Sequence, residues 1–378
     1  MKQEEYFGTG SIETLSKIIS AHKTKNVFLV TGKKSYHLSG AENLLNKFLK
    51  DLEVFHFNEF SENPKLEDIE NGIEQFKNSG SEIVIAVGGG SVIDIGKLIN
   101  IFSAQSKDAI NYIEGKANIL NKGKTLIAVP STSGAGSEST HFAVVYKDKA
   151  KYSVAHDYIL PDISIIDPQL TFSLPPEITA TSGIDALSQA IESYWCVNSN
   201  EESKNLSEEA IKLIFKNLDA AVNNPRIGNR VSMSKAANLA GKAINITKTT
   251  APHAVSYSMT SYFAVPHGQA VSLTLAEFLV YNYEVTNNDL IDKRGVAYVR
   301  KSIDELIKFM ACKTVYEAKE KITKLIADIG LKTKLSELSI NSENDLKLIE
   351  ENVNLERLQN NPRKISKDGL KIILRNIL

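Results

Sequence analysis

The chain has 378 residues, more than one ordinary domain holds, and its 42% hydrophobic content can fill two cores. Lys+Arg 44 against Asp+Glu 45 leaves a formal net charge of -1, which excludes a general nucleic-acid binder or a membrane-surface protein, since both need a basic excess, but leaves room for a local basic pocket. Cys196 and Cys312 have no metal-finger spacing and read as reduced thiols. The N-terminal MKQEEYFGTGSIETL lacks an apolar leader, and no apolar run is long enough to span a bilayer, so a cytoplasmic protein is expected.

In chain order, the first part alternates strand-like and helix-like runs. NVFLVTG (Asn26 to Gly32) and LEVFHF (Leu52 to Phe57) are short β-rich runs. EIVIAVGGG (Glu82 to Gly90) is continuously apolar, as buried parallel strands are, and TLIAVPSTSGAGSE (Thr125 to Glu138) is a fourth strand with its loop. With helical patterns between them, these predict a parallel α/β sheet. Past DPQLTFSLPPE (Asp167 to Glu177) the chain reads as successive helices. The boundary is set near Pro175-Pro176, giving an α/β domain over 1-178 and an all-helical domain over 179-378. The C-terminal third, rich in Lys and Glu, reads as solvated helix faces. No internal repeat or low-complexity segment is visible.

VGGGSVIDIGK (Val87 to Lys97) leaves a buried strand and opens a helix. Glycines allow a backbone to approach a phosphate, and free N–H groups at a helix N-terminus attract anions. Ser91 and Asp94 fit a capping box. The full GxGxxG fingerprint is absent, because Ile93 occupies the third glycine position, and a tight strand-to-helix turn would look the same. PSTSGAGSE (Pro130 to Glu138) is a second such loop. Two loops at strand C-termini outline a crevice of the kind in which open parallel sheets bind nucleotides.

GIDALSQAIESYW (Gly183 to Trp195) spaces Ile184, Leu187, Ile191 and Tyr194 as an amphipathic helix does, and sets Asp185 and Gln189 one turn apart on one face. Downstream, TTAPHAVSYSMTSYFAVPHGQA (Thr249 to Ala270) carries His253 and His267. A carboxylate with two imidazoles suits Fe(II) or Zn(II) with a position left open for substrate oxygen. Spacing alone leaves structural histidines as an equal alternative.

Taken together, FGTGSI, LVTGKKS, ENP (Glu62 to Pro64), GGGSVIDIGK, PSTSGAGSE, LPDISIIDPQLTFSLPP, SGIDALSQAIESY, PHAVSY, VPHG and NNPR resemble, in order and over nearly the whole chain, the iron-containing (group III) alcohol dehydrogenases of the dehydroquinate synthase-like fold. The resemblance implies an N-terminal nucleotide-binding domain, a C-terminal helical domain and a divalent metal in the cleft between them. It implies metal ligands at Asp185, His253 and His267. It implies cofactor contacts from Thr31, Gly32, Lys33, Asn63, Gly89, Gly90, Ser91, Asp94, Ser131, Thr132 and Lys151, with NADP(H) or NAD(H) as cofactor, Fe2+ (or Zn2+) as metal, and a homodimer. Gly32 stands where NAD-preferring relatives carry an Asp, and Lys33, Lys34 and Ser35 follow it, so NADPH is expected over NADH.

Three positions depart from the family. Gln189 replaces a histidine ligand, and is expected either as a weaker fourth ligand or as a partner of metal-bound water or substrate. Tyr257 stands where many relatives carry a proton-relaying histidine. Lys248 replaces a small residue and is expected either in solvent or as the anchor for an anionic substrate. With Tyr257 and Lys248 as the catalytic candidates, the expected reaction is reduction of a small anionic aldehyde, with phosphonoacetaldehyde reductases the nearest resemblance in DALSQAIESYW and KTTAPHAVSY. The alternatives are a reductase of a neutral, butanal-like aldehyde, a sugar-phosphate cyclase of the same fold, and a metal-less binding protein.

Overall fold

The computed structural model describes residues 3–61 and 63–378, so Glu62 of the ENP motif lies outside the described residues. The chain divides into two compact units, Met1–Leu174 and Pro175–Leu378.

Among the described residues the first unit is built on eight strands: β1 (Glu4–Phe7), β2 (Asn26–Thr31), β3 (Glu53–Phe57), β4 (Ile83–Gly88), β5 (Thr125–Pro130), β6 (Phe142–Lys147), β7 (Ala150–Ala155) and β8 (Ile163–Ile166). Six form one sheet in the order β1-β8-β5-β4-β2-β3, every pair parallel. β6 and β7 make a separate antiparallel hairpin. The continuous apolar runs have a physical cause: both faces of the sheet are covered. The two-residue period sends Phe28, Val30, Val84 and Ala86 into one core and Val27, Leu29, Ile83, Ile85 and Val87 into the other. After β2 the chain goes outward to β3, then returns to place β4 on the other side of β2. That reversal puts the crevice of an open sheet at the carboxyl ends of β2 and β4.

The second unit is helical. Helix α1 (Gly90–Ser103) belongs to the first unit; the second opens with α2 (Pro176–Trp195), α3 (Glu201–Asn223), α4 (Ile227–Thr247), α5 (Ala251–Phe263) and α6 (His267–Tyr283), with shorter helices to the C-terminus. The amphipathic reading of Gly183 to Trp195 is corrected: this stretch is buried on every face. Asp185, Ser188, Gln189, Glu192 and Ser193 therefore sit in the middle of a core, where polar groups need partners. Among the described residues no helix is long and apolar enough to cross a membrane.

Candidate metal centre and nucleotide loops

Three helices deliver the donors. Asp185 comes from the middle of α2. His253 lies in the first turn of α5, whose start is set by Pro252, a residue with no backbone donor to lose there. His267 is the first residue of α6, directly after Pro266. One ligand atom from each of Asp185, His253 and His267 lies within 4.8 Å of the other two. His253 Nε2 is 3.4 Å from Asp185 Oδ1, and the two imidazoles meet edge to face with centroids 5.4 Å apart. One carboxylate and two imidazoles at this spacing are a donor set that a divalent first-row ion fits.

Gly268 makes the approach possible. A Cβ there would fall 1.9 Å from the Thr181 carbonyl oxygen and 3.2 Å from Asp185 Cβ, so any larger residue would hold α6 off α2.

Gln189 turns its amide N–H toward the aspartate. Its amide N–H donates to Asp185 Oδ2 at 3.1 Å, one turn along α2, so the carboxamide steadies the aspartate. Tyr257 is buried beside His267, ring centroids 6.1 Å apart. Of the two places expected for its side chain, solvent and pocket, Lys248 takes the exposed one. It ends α4 with φ 64, and its ammonium lies 3.3 Å from Glu356 Oε1, in a pair whose side chains are 37% and 66% exposed.

Glu192 carries no role in the sequence reading, yet it is fully buried and pairs with His253 Nδ1. It also accepts from Thr250 N and Thr250 Oγ1 at 3.0 Å and from His253 N at 3.3 Å. The signal for it was present: a glutamate seven residues after Asp185, two turns along the same face of a core helix. Burial alone would lower the His253 pKa, but the Glu192 and Asp185 carboxylates outweigh it and raise the imidazole to about 10.

In the first unit, Thr31-Gly32-Lys33, Gly89-Gly90-Ser91 and Ser131-Thr132 stand at the ends of the adjacent strands β2, β4 and β5. The two glycine loops interlock. Ser131 N donates to Gly88 O at 2.9 Å, and a Cβ on Gly90 would meet Ala135 Cβ at 2.6 Å. Gly89 caps α1 with no side-chain bond, which leaves first-turn N–H groups suited to an anion. The capping box expected from Ser91 and Asp94 is corrected. Ser91 lies inside α1, and Asp94, buried, accepts from Val144 N at 2.9 Å and so holds β6. Beside it, buried Lys97 donates to Thr140 O, Thr140 Oγ1 and Phe142 O at 2.8–3.1 Å. Desolvation lowers its pKa to about 8 despite Asp94 and Glu138.

Thr31 is buried, its hydroxyl 2.7 Å from His56 Nε2, while Lys33 is exposed and 4.0 Å from Glu59. Asn63 and Lys151 flank Tyr146: Pro64 O, next to exposed Asn63, accepts from Tyr146 N, and Lys151 is its cross-strand neighbour.

The comparisons with known proteins agree with this arrangement. Residues 3–168 match the family model for iron-containing alcohol dehydrogenase, and residues 179–378 match the C-terminal model of the Fe-containing alcohol dehydrogenase family. The chain belongs to the iron-containing alcohol dehydrogenases, oxidoreductases acting on CH–OH donors. It is 32% identical over 280 residues to the 1-propanol dehydrogenase PduQ of Salmonella typhimurium, covering 73% of this chain and 71% of that one. It is 29% identical over 309 residues to the phosphonoacetaldehyde reductase of Streptomyces viridochromogenes, covering 79% and 77%. Among solved structures, sulfoacetaldehyde reductase from Bifidobacterium kashiwanohense, in complex with NAD+, superposes with a TM-score of 0.88 at 29% identity, over 99% of this chain and 96% of that one.

Proposed function

We propose that the chain is a metal-dependent, NAD(P)H-linked reductase of a small aldehyde that carries an acid group, as phosphonoacetaldehyde does on its way to 2-hydroxyethylphosphonate. The observation that carries the chemistry is the buried meeting of Asp185, His253 and His267. These three would hold the ion, iron(II) by family and zinc(II) by donor type. When bound, such an ion supplies a Lewis acid for the carbonyl oxygen, and the nicotinamide supplies the hydride.

The remaining work belongs to the chain's own side chains and backbone. Gln189 steadies Asp185. Tyr257 stands beside His267, where its phenol can give the proton that completes the alcohol. The uncapped start of α1 offers its N–H groups to the pyrophosphate. Lys33 and Lys34, exposed after Gly32, support a preference for the 2'-phosphate of NADPH. A homodimer and a cytoplasmic setting are proposed on the family resemblance, and light scattering on the purified chain checks the first.

Support for the acid group is the likeness to reductases of phosphonoacetaldehyde and sulfoacetaldehyde. A second reading, a neutral aldehyde, is favoured by one observation: the ammonium expected to anchor the anion is already engaged by Glu356. An exposed pair of this kind is worth about 0–1 kcal/mol, so an anionic substrate could displace it. The test is an aldehyde panel, phosphonoacetaldehyde included, with NADH and NADPH under anaerobic Fe(II), run on wild type and Lys248→Ala. Anchoring predicts a roughly ten- to hundredfold loss in kcat/KM for the acid-bearing aldehyde alone, as expected for one charge-assisted contact. Equal losses support the neutral reading, and no consumption of reduced cofactor with any aldehyde overturns both.

A further inference from the structure

We propose that Glu192 is a positioning residue for the metal centre, turning His253 so that its Nε2 points at the ion. This rests on the metal reading above and adds to it how one ligand is aimed. The two oxygens of the Glu192 carboxylate have different partners. Oε1 accepts from Thr250 N, Thr250 Oγ1 and His253 N, so it caps the start of α5. Among the described residues Oε2 meets the imidazole alone, at Nδ1.

A carboxylate that already accepts three hydrogen bonds acts as an acceptor toward the ring as well, so Nδ1 must carry a hydrogen. The ring is then fixed with Nε2 on the far side, 3.4 Å from Asp185 Oδ1, among the donors from α2 and α6. Trp195 Nε1 donates to Thr250 Oγ1 at 2.9 Å, tying the assembly back to the end of α2. Glu192, Thr250 and His253 are all buried, so these contacts form away from bulk solvent. Partners of this kind behind a ligating histidine set its orientation and its basicity.

Glu192→Gln separates aiming from capping. The amide oxygen can keep the Oε1 bonds, while an NH2 in place of Oε2 confronts Nδ1–H donor to donor. To accept from that NH2 the ring must move its hydrogen to Nε2, which removes the metal-binding lone pair. Metal affinity is read by titrating Co(II) anaerobically against a chromophoric chelator, and fold by circular dichroism and melting in chelator. The expected result is a ten- to hundredfold weaker Co(II) affinity in Glu192→Gln, with wild-type secondary structure.

Thr250→Val, which loses the Oγ1 bonds but leaves Oε2 on the ring, should melt earlier yet bind Co(II) within about twofold of wild type, because only a contact to Nδ1 aims the ligand. Should Glu192→Gln fail to fold, Glu192→Asp takes its place: it keeps the negative charge but draws the carboxylate back from the ring, and the same loss is expected. A folded Glu192 variant with wild-type Co(II) affinity overturns the proposal, as does a Thr250→Val loss equal to that of Glu192→Gln. A wild-type chain that takes up no Co(II) overturns the metal reading itself, and this inference with it.

Discussion

Adding one methyl group at Gly268 should disable the metal centre. The new Cβ would lie 1.9 Å from the Thr181 carbonyl oxygen and 2.8 Å from its carbon, where ordinary contact begins at 3.4 Å. Both obstacles are backbone atoms inside α2, so no rotamer change relieves the clash. The two helices must part by about 1.5 Å, the shortfall from that contact distance. His267 is the neighbouring residue on α6, and Asp185 lies one turn beyond Thr181 on α2. Metal–ligand bonds of about 2.0–2.2 Å tolerate roughly 0.2 Å of misplacement, so the two donors could no longer serve one ion. Overpacking should cost about 1–3 kcal/mol of stability. The loss of Co(II) affinity should exceed the roughly 10–100-fold that follows disturbance of a ligand's outer partner. Chelator competition reads the second effect and melting in chelator the first. A Gly268→Ala protein that melts with wild type and binds Co(II) equally would refute the argument that this close approach assembles the site.

His267→Ala should lose bound metal and aldehyde reduction together; full activity of that variant in chelator would remove His267 from the ligand set. Because His253 is held protonated up to about 10, an ion must displace that proton, so metal affinity should rise about tenfold per pH unit between neutrality and pH 10, and a flat profile argues against it. The same raised pKa stabilises the metal-free fold fully below the unfolded value of 6.5 and progressively less as pH rises through about 10, which melting in chelator across that window checks. Gly32→Asp should move cofactor preference from NADPH toward NADH, with the new side chain met chiefly by the movable Ser35 hydroxyl; a wild type already favouring NADH in kcat/KM contradicts the premise.

Much of the architecture was legible because burial writes itself into sequence period. The runs at β2, β4 and β5 are long and apolar enough to stand out, and β3 shows by its β-rich residues although most of it is exposed. β1 and β8 are four residues each, and the β6–β7 hairpin is polar enough to pass as a loop, so none of these was read as a strand. Asp185, His253 and His267 came from the motif match, and the structure brings them together. The partners around them were not legible. That the Gln189 amide donates to Asp185 depends on a side-chain rotation that spacing does not encode. Lys248 seemed to share a segment with His253, but its positive φ breaks the chain between α4 and α5 and sends the side chain toward Glu356. Glu192 drew no reading, because on an amphipathic helix a glutamate is ordinary, and its importance follows only once that helix is seen to be buried on every face there.

The bonds that join Trp195, Thr250, Glu192 and His253 run between protein groups, and a large apolar core surrounds them. Unlike a zinc finger, whose folding free energy is its metal-binding free energy, this unit has an apolar core of its own and should keep its shape when stripped. The ion is therefore exchangeable cargo. One preparation can be emptied and refilled with iron, cobalt, zinc or manganese, and the rates then compared on a single scaffold. Oxidative loss of iron in the cell would be an injury that resupply repairs, without new protein synthesis.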